Sequence, residues 1–290
     1  LEEFFPGRNE IKRLLLEPIS YANGSSLVDP AIAYGIVFSN FMKKGIYTFK
    51  DGTDSLIKKM VKELRNNGAD LRRQCLVEEV LTNKVDKKHK VEGVVVNGKK
   101  IRCGAVLSNA NLKNTIEKLF GLSKLPKEFA DQAKSVRLNS TSCQVYIGLK
   151  KGVSIPDVGD LIFTSESPSF STDELTDFHT TSRTFSVYYP DTRPERKEPR
   201  YSIVASINAK WQDWQKLSDE DYTQAKNRLC EESVVALEKI IPDIRDKIDH
   251  LEAATPRTIQ HYTHHASGAS FGTKFEGLDV SSQLPDHAPG

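Results

Sequence analysis

The sequence predicts an α+β fold, in which a mainly antiparallel sheet is covered by helices and interrupted by an inserted strand–helix–β-meander segment. Strand-like segments follow one another after residue 140, at positions 142–149, 160–164, 184–189 and 201–209. A long amphipathic segment at 218–241 predicts a covering helix with Ser218 as its cap. The third observation is a change of pattern at 46–108, where a helix is followed by a hairpin.

The first 45 residues are predicted to be largely helical. Apolar residues recur through positions 2–16, and the break near Pro6 and Gly7 predicts one or two short helices there. A second helix is predicted at 31–42, because Asp29 can cap its first amides and Pro30 suits its first turn.

The inserted segment has the strongest local signal in the chain. Its predicted elements are a strand at 46–49, a tight turn at 51–53, a helix at 54–67, strands at 69–73 and 75–83, and a charged turn at 86–90. Asn97 and Gly98 then predict a hairpin that joins strands at 91–96 and 100–107. Further helices are predicted at 111–120 and 126–136.

Composition excludes several classes of protein. The chain has 290 residues, a charged fraction of 28% and a formal charge of +2, so it can bury a core and shows no sign of a nucleic-acid partner. Its four cysteines stand far apart, which favours free thiols in a reducing cytoplasm. The apolar runs are too short to span a bilayer.

Three segments, in this order, carry a resemblance to a known family. Residues 47–56 (YTFKDGTDSL) resemble a strand–glycine–helix step, and residues 68–111 contain VEEV, VEGVVV and VLSNA in sequence. Residues 254–258 (ATPRT) are followed by Tyr262 and by GASFG at 268–272. Together they resemble FAD-dependent oxidoreductases of the phytoene desaturase, carotenoid isomerase and retinol saturase kind.

The resemblance implies a division of the chain and a set of site residues. Residues 1–45 and 109–253 would belong to the substrate-binding domain, 46–108 to the FAD domain, and 254–290 to a segment that returns toward the FAD domain. The implied cofactor-binding residues are Gly52, Val77, Ser108, Asn109 and Ala110. The implied cavity residues are Tyr262, Gly268, Phe271 and Gly272. From the residues alone, packing is the alternative explanation for Val77 and for Tyr262, and a plain loop is the alternative for 268–272.

The sequence departs from the family pattern at three points. Asp51 stands in place of the first of two glycines, and Asn111-Leu112 replaces Asp-Pro. No GxGxxG motif precedes Gly52, although this motif grips the pyrophosphate of a dinucleotide. The chain also opens on Leu1 and closes on a polar Pro/Gly segment. We therefore expect an internal fragment that does not hold FAD by itself.

The resemblance implies desaturation, saturation or isomerisation of an apolar polyene or isoprenoid, with hydride moving through N5 of the flavin. We expect contact with a membrane surface to accompany such a substrate, and no catalytic residue is assigned. Two alternatives stay open: a binding or structural module without redox activity, and a relative of the amine oxidases.

Residues 261–265 (HYTHH) would place His261 and His265 on one face of a strand, which supplies two ligands and no acid, so no metal site is predicted. Arg257 either forms a surface ion pair or approaches a phosphate or substrate end group. Trp211 and Trp214 lie on one side of a helical turn and predict packing.

Overall fold

A computed structural model describes residues 2–23, 52–86, 88–167, 170–192 and 198–270, together with residues 35, 39, 40, 43–45, 47, 49, 272 and 273. The first helix, α1, spans Asn9–Asn23 and follows a turn at residues 2–7, as the break near Pro6 and Gly7 predicts. The Arg13 guanidinium lies 5.4 Å from the centroid of the Phe170 ring. The helix predicted at 31–42 lies largely outside the described residues.

A small three-stranded unit follows. Helix α2 spans Gly52–Asn66, and strands β1 (Val77–Val85), β2 (Lys88–Val96) and β3 (Lys99–Arg102) form an antiparallel meander. The predicted helix and the hairpin at Asn97 and Gly98 are confirmed. Both turn residues have positive φ, +47° and +73°, as this hairpin turn requires.

Four local predictions in the segment 46–108 are wrong in whole or in part. Residues 69–73 form no strand, because in the described residues no other strand pairs with them. The last strand ends at Arg102 instead of reaching residue 107: its register with β2 ends at the Gly93–Arg102 pair, after which the Cys103 amide donates one more hydrogen bond to the Glu92 carbonyl at 3.1 Å. Tyr47 and Phe49, the described half of the strand predicted at 46–49, are not in a strand. The turn predicted at 86–90 is also shorter, because β2 already begins at Lys88.

Helices connect the small unit to the large one. Much of the helix predicted at 111–120 forms a π-helix, Asn114–Gly121, which a 3₁₀ turn at Leu122–Lys124 extends. Helix α3 (Lys127–Ser135) then confirms the second prediction. Ile116, Phe129 and Ala133 bury one another between these helices.

The large unit is a five-stranded sheet in the order β5-β6-β7-β4-β8, and each neighbouring pair is antiparallel. Its strands are β4 (Thr141–Leu149), β5 (Leu161–Thr164), β6 (Arg183–Tyr188), β7 (Ser202–Ala209) and β8 (Ile248–Ala254). The first four confirm the four predicted strands to within one residue at each end. Strand β8 was not predicted, and it forms one edge of the sheet.

Helices cover one face of this sheet. They are α4 (Thr172–Leu175), α5 (Trp211–Gln215), α6 (Asp219–Glu238) and α7 (Ile244–Lys247), and α8 (Pro256–Thr263) follows β8. The Ser218 hydroxyl accepts a hydrogen bond from the Asp221 amide, so the predicted cap of α6 is confirmed. Trp214 is buried in the core, as its spacing from Trp211 predicts. The predicted α+β class is therefore correct.

The core lies between the sheet and α6. Val145, Phe185, Ile203 and Leu237 are fully buried there. All four cysteines are free, and burial raises the pKa of the Cys143 thiol. Among the described helices, none is long and apolar enough to cross a bilayer.

Candidate functional site

A cavity of about 1510 Å³ lies where the small unit, the π-helix and the β8 edge of the large sheet meet. This volume exceeds the ~300–1,000 Å³ of a typical small-molecule pocket, so the cavity has room for more than one ligand. Its walls come from three stretches that are distant in sequence: the start of β1, residues 110–119, and the elements from β4 to α8. Three of the residues implied by the family resemblance line it: Val77, Ala110 and Tyr262.

The first wall is held in place by the side chain of Asn97. Its Oδ1 accepts a hydrogen bond from the Leu76 amide at 3.1 Å, and its Nδ2 donates to the Gln74 carbonyl at 3.0 Å. Leu76 and Val77 are thereby fixed at the mouth of the cavity, although Leu76 remains 54% exposed. Strand β1 is an edge strand, so one side of its backbone is not paired with β2. Such a backbone edge can bind the edge of an adenine ring.

Ala110 is positioned by the turn that leads into the π-helix. The Ser108 hydroxyl lies 2.8 Å from that of Thr115, and it accepts a hydrogen bond from the Ala110 amide at 3.3 Å. Ser108 and Asn109 are exposed beside the cavity but do not line it. On the π-helix, Asn114 donates a hydrogen bond to the carbonyl of His264, and this contact ties the two walls together.

The sheet contributes Tyr146 of β4 and Glu252 of β8, which face each other across the two strands. The Tyr146 hydroxyl donates to Gln144 Oε1 at 2.6 Å. Burial, and then the nearby Glu252 carboxylate, raise the pKa of Tyr146. Tyr146 is therefore a neutral hydrogen-bonding group at physiological pH.

The helical wall is organised around Tyr222 of α6. Its hydroxyl lies 2.9 Å from the hydroxyl of Thr255, which is the buried N-cap of α8. The Arg257 guanidinium lies 4.3 Å from the Tyr222 ring centroid, within the range of a cation–π contact. Its Nη2 is 3.6 Å from an Asp219 carboxylate oxygen, so the predicted surface ion pair is present.

Residues 261–265 do not form the strand on which the two-ligand interpretation was based. Thr255 and Thr258 form a reciprocal capping box and Pro256 occupies the first turn, so α8 runs to Thr263. His261 lies on this helix, whereas His264 ends it with a left-handed backbone and His265 Nδ1 lies 2.8 Å from the Ala269 carbonyl. In the described part of the chain, no three His, Cys, Asp or Glu side chains are grouped so that they could hold a metal ion.

The remaining residues implied by the resemblance lie apart from the cavity. Gly52 is the first residue of α2. None of the three glycines, Gly52, Gly268 and Gly272, lines the cavity. The structure gives Gly268 a role within the fold, because a Cβ atom there would lie 2.3 Å from the Pro256 carbonyl oxygen. Phe271 lies outside the described residues.

Sequence reasoning missed several cavity residues: Tyr146, Tyr222, Lys226 and Glu252. Tyr146 occupies an outward position in a correctly predicted alternating strand, which was the available signal. Glu252 could not be assigned because β8 was not recognised as a strand.

A protein-family model described as flavin containing amine oxidoreductase matches residues 1–233. Prolycopene isomerase from Daucus carota is 24% identical over 248 residues, which cover 84% of this chain and 39% of that protein. All-trans-retinol 13,14-reductase from Danio rerio is 24% identical over 297 residues, covering 91% of this chain and 47% of that protein. The chain thus spans less than half the length of these curated relatives.

A solved structure of an oxidoreductase from Methanosarcina mazei has a similar fold. It superposes with a TM-score of 0.53 at 14% sequence identity and covers 84% of this chain and 52% of that chain.

Proposed function

The chain belongs to the family of flavin containing amine oxidoreductases, and from this premise we propose that it is part of an FAD-dependent enzyme acting on an apolar polyene or isoprenoid. The reaction would be desaturation, saturation or isomerisation. The two curated relatives are named for prolycopene and all-trans-retinol, and this supports an apolar substrate. The activity proposed is that of the complete protein.

One observation carries the proposal. Val77 and Ala110, implied to lie beside the cofactor, share a single large cavity with Tyr262, implied to lie beside the substrate. Leu76 and Tyr262 are 54% and 78% exposed at this cavity. Large apolar side chains left open to solvent around a concave site are typical of a surface that a ligand covers.

The cavity residues are suited to contact the adenine ring of FAD and to form an apolar wall beside the cofactor. The edge backbone of β1 at Val77 would hold the adenine edge, and Leu76, Leu119 and Tyr262 would exclude water from the cavity. When bound, FAD would supply the hydride acceptor and donor at N5. The chain contains no glycine-rich phosphate loop, so the proposal includes further backbone for the pyrophosphate. Contact with a membrane surface belongs to the same proposal.

The test is the absorbance spectrum of the complete protein after purification with FAD. We expect flavin bands, and we expect anaerobic addition of a polyene substrate to change them. A protein that is colourless once unbound FAD has been removed would overturn the proposal and favour a binding or structural module. A flavin that responds to amines and to no polyene would favour an amine oxidase.

A matched pair of variants tests the cofactor side. Val77→Pro removes an amide hydrogen at the cavity end of β1, whereas Val85→Pro removes one at the opposite end of the same edge strand. We expect Val77→Pro to weaken FAD binding ~10-fold, the effect of one lost hydrogen bond, and Val85→Pro to leave it unchanged. Equal effects of the two variants would remove Val77 from the cofactor site.

A further inference from the structure

The cavity carries an excess of positive charge that the proposed reaction does not use. The charged residues that line it are Lys118, Lys226, Arg257 and Glu252, three cations against one carboxylate. A polyene has no charged group that could pair with these cations. Burying cations beside an apolar ligand costs free energy unless an anion accompanies them.

Arg257 is held in one orientation before any ligand arrives. It stacks on Tyr222, and its Nη1 donates to the Leu217 carbonyl at 3.3 Å. The Leu217 carbonyl accepts from one of the five N–H groups and Asp219 lies at ion-pair distance, and no other described residue accepts a hydrogen bond from this guanidinium. Asp219 is fully exposed, so water screens its charge. A fixed guanidinium with free donors on a cavity wall is suited to carboxylate or phosphate oxygens.

Lys226 contacts the same aromatic ring as Arg257. Its Nζ is 5.9 Å from the Tyr222 centroid. Within the described residues, no carboxylate lies within ion-pair distance of this ammonium group. Glu252, the single acidic group of the cavity, lies 3.6 Å from His250 Nε2 instead. The Tyr222 ring therefore carries two cations, and neither is neutralised by a buried acid.

From this arrangement we infer that Arg257 and Lys226, which line one cavity and share a contact with Tyr222, form a subsite for an anionic group of the ligand. The group is a carboxylate or a phosphate. It comes either from an acidic end group of the apolar substrate or from the diphosphate of the cofactor. The inference rests on the proposed function for the identity of the ligand, but the subsite can be tested without flavin.

The chain contains its own reporter for this test. Its only two tryptophans are Trp211, which lines the cavity, and Trp214, whose ring centroid lies 6.1 Å from that of Tyr222. Quenching of their fluorescence can follow binding of all-trans-retinoic acid and of all-trans-retinol, which differ in a carboxylate and a hydroxyl. Inorganic diphosphate serves as a competitor for the second source.

We expect the acid to bind at least ~10-fold more tightly than the alcohol, because a charge-assisted hydrogen bond replaces a neutral one. Arg257→Gln should bring this ratio close to one without weakening retinol binding, and Lys226→Gln should lower it in part. The matched control is Arg228→Gln. Arg228 stacks on Phe178 at 4.6 Å and has the same 33% side-chain exposure as Arg257, but it lies outside the cavity lining.

The outcomes separate the two sources. Preference for the acid that Arg257→Gln abolishes assigns the subsite to the substrate. Equal binding of acid and alcohol, with diphosphate binding that Arg257→Gln abolishes, assigns it to the cofactor. The inference is overturned if neither anion depends on Arg257, or if Arg228→Gln has the same effect. Failure of the proposed function would appear separately, as a complete protein without flavin absorbance.

Discussion

The two sheets of this molecule differ in how far they bury their own apolar residues. In the five-stranded unit, Val145, Phe185, Ile203 and Leu237 expose 0% of their surface. In the small unit, between residues 52 and 110, Val80 and Gly93 are the only buried residues among those described. Helix α2 buries none of its residues, and Ile57, Met60 and Leu64 are 51%, 56% and 46% exposed along one face.

The two units show the same local pattern of apolar residues, but they differ in how much of this apolar surface they bury. Helix α2 has the apolar stripe of a helix that packs on something, as α6 does. The α6 stripe lies on the sheet, whereas the α2 stripe meets no described residue that buries it. We therefore expect stability to reside mainly in the large unit. The small unit should owe its order to its hairpin hydrogen bonds and its helix propensity.

The largest expected effect comes from comparing a buried apolar residue of the large unit with a half-exposed one of the small unit. Phe185→Ala in β6 should lower the free energy of unfolding by about 3–5 kcal/mol, because it leaves a cavity in a fully packed core. Ile57→Ala on α2 should change it by less than ~0.5 kcal/mol, since this side chain is half exposed. Urea unfolding followed by far-UV circular dichroism, to which both units contribute, measures both.

One result for Ile57→Ala would contradict this comparison of the two apolar surfaces. A loss of more than ~2 kcal/mol for Ile57→Ala would mean that the α2 face is buried, for example against another copy of the chain. Repeating the titration at two protein concentrations would identify such an association.

Elements whose formation depends on neighbouring residues in the chain could be predicted from the sequence. Strand β4 alternates regularly, and its predicted bounds differ from those observed by one residue at the first position. The Ser218 cap and the Asn97-Gly98 turn were also found, because both depend on neighbouring residues. Strand β8 was not, since its residues are mostly polar or exposed and it becomes a strand only by pairing with β4. Propensity carries no information about such a partner.

The candidate site was less predictable for a related reason. Its lining comes from stretches as far apart as Leu76 and Ala266, and no local pattern connects them. The family resemblance supplied Val77, Ala110 and Tyr262. The helix that carries Tyr262 has a local sequence signal in Thr255-Pro256, a cap followed by a first-turn proline.

A smaller effect compares one glycine from each unit. Gly268 and Gly98 both have positive φ, +57° and +73°, but only Gly268 approaches other backbone, the carbonyl of Pro256. Gly268→Ala should cost about 2–3 kcal/mol, from an unfavourable backbone conformation and a clash. Gly98→Ala should cost about 1 kcal/mol, from the conformation alone.

Thermal unfolding followed by far-UV circular dichroism, to which both units contribute, would test this pair. A control close in sequence to Gly268 is Gly272→Ala, since Gly272 has φ +72° and a Cβ atom added there would meet no atom of the described residues within 4 Å. It should behave like Gly98→Ala. Similar losses for Gly268→Ala and Gly272→Ala would mean that the loop moves away from Pro256 without cost.

The smallest expected effect tests whether the small unit opens independently of the large one. Asn97→Ala removes the hydrogen bonds to Leu76 and Gln74 and places alanine at φ +47°, a backbone conformation that asparagine tolerates better. It should destabilise the β1–β2 hairpin by about 1–2 kcal/mol. Asn97→Gly retains the backbone freedom and should recover about half of this loss. Hydrogen exchange read by mass spectrometry should show faster exchange in β1 and β2 and unchanged exchange in β4 and β7, because the two sheets share no strand. If exchange rose equally in β4 and β7, the two sheets would unfold as one cooperative unit, and the difference in burial would not be a difference in stability.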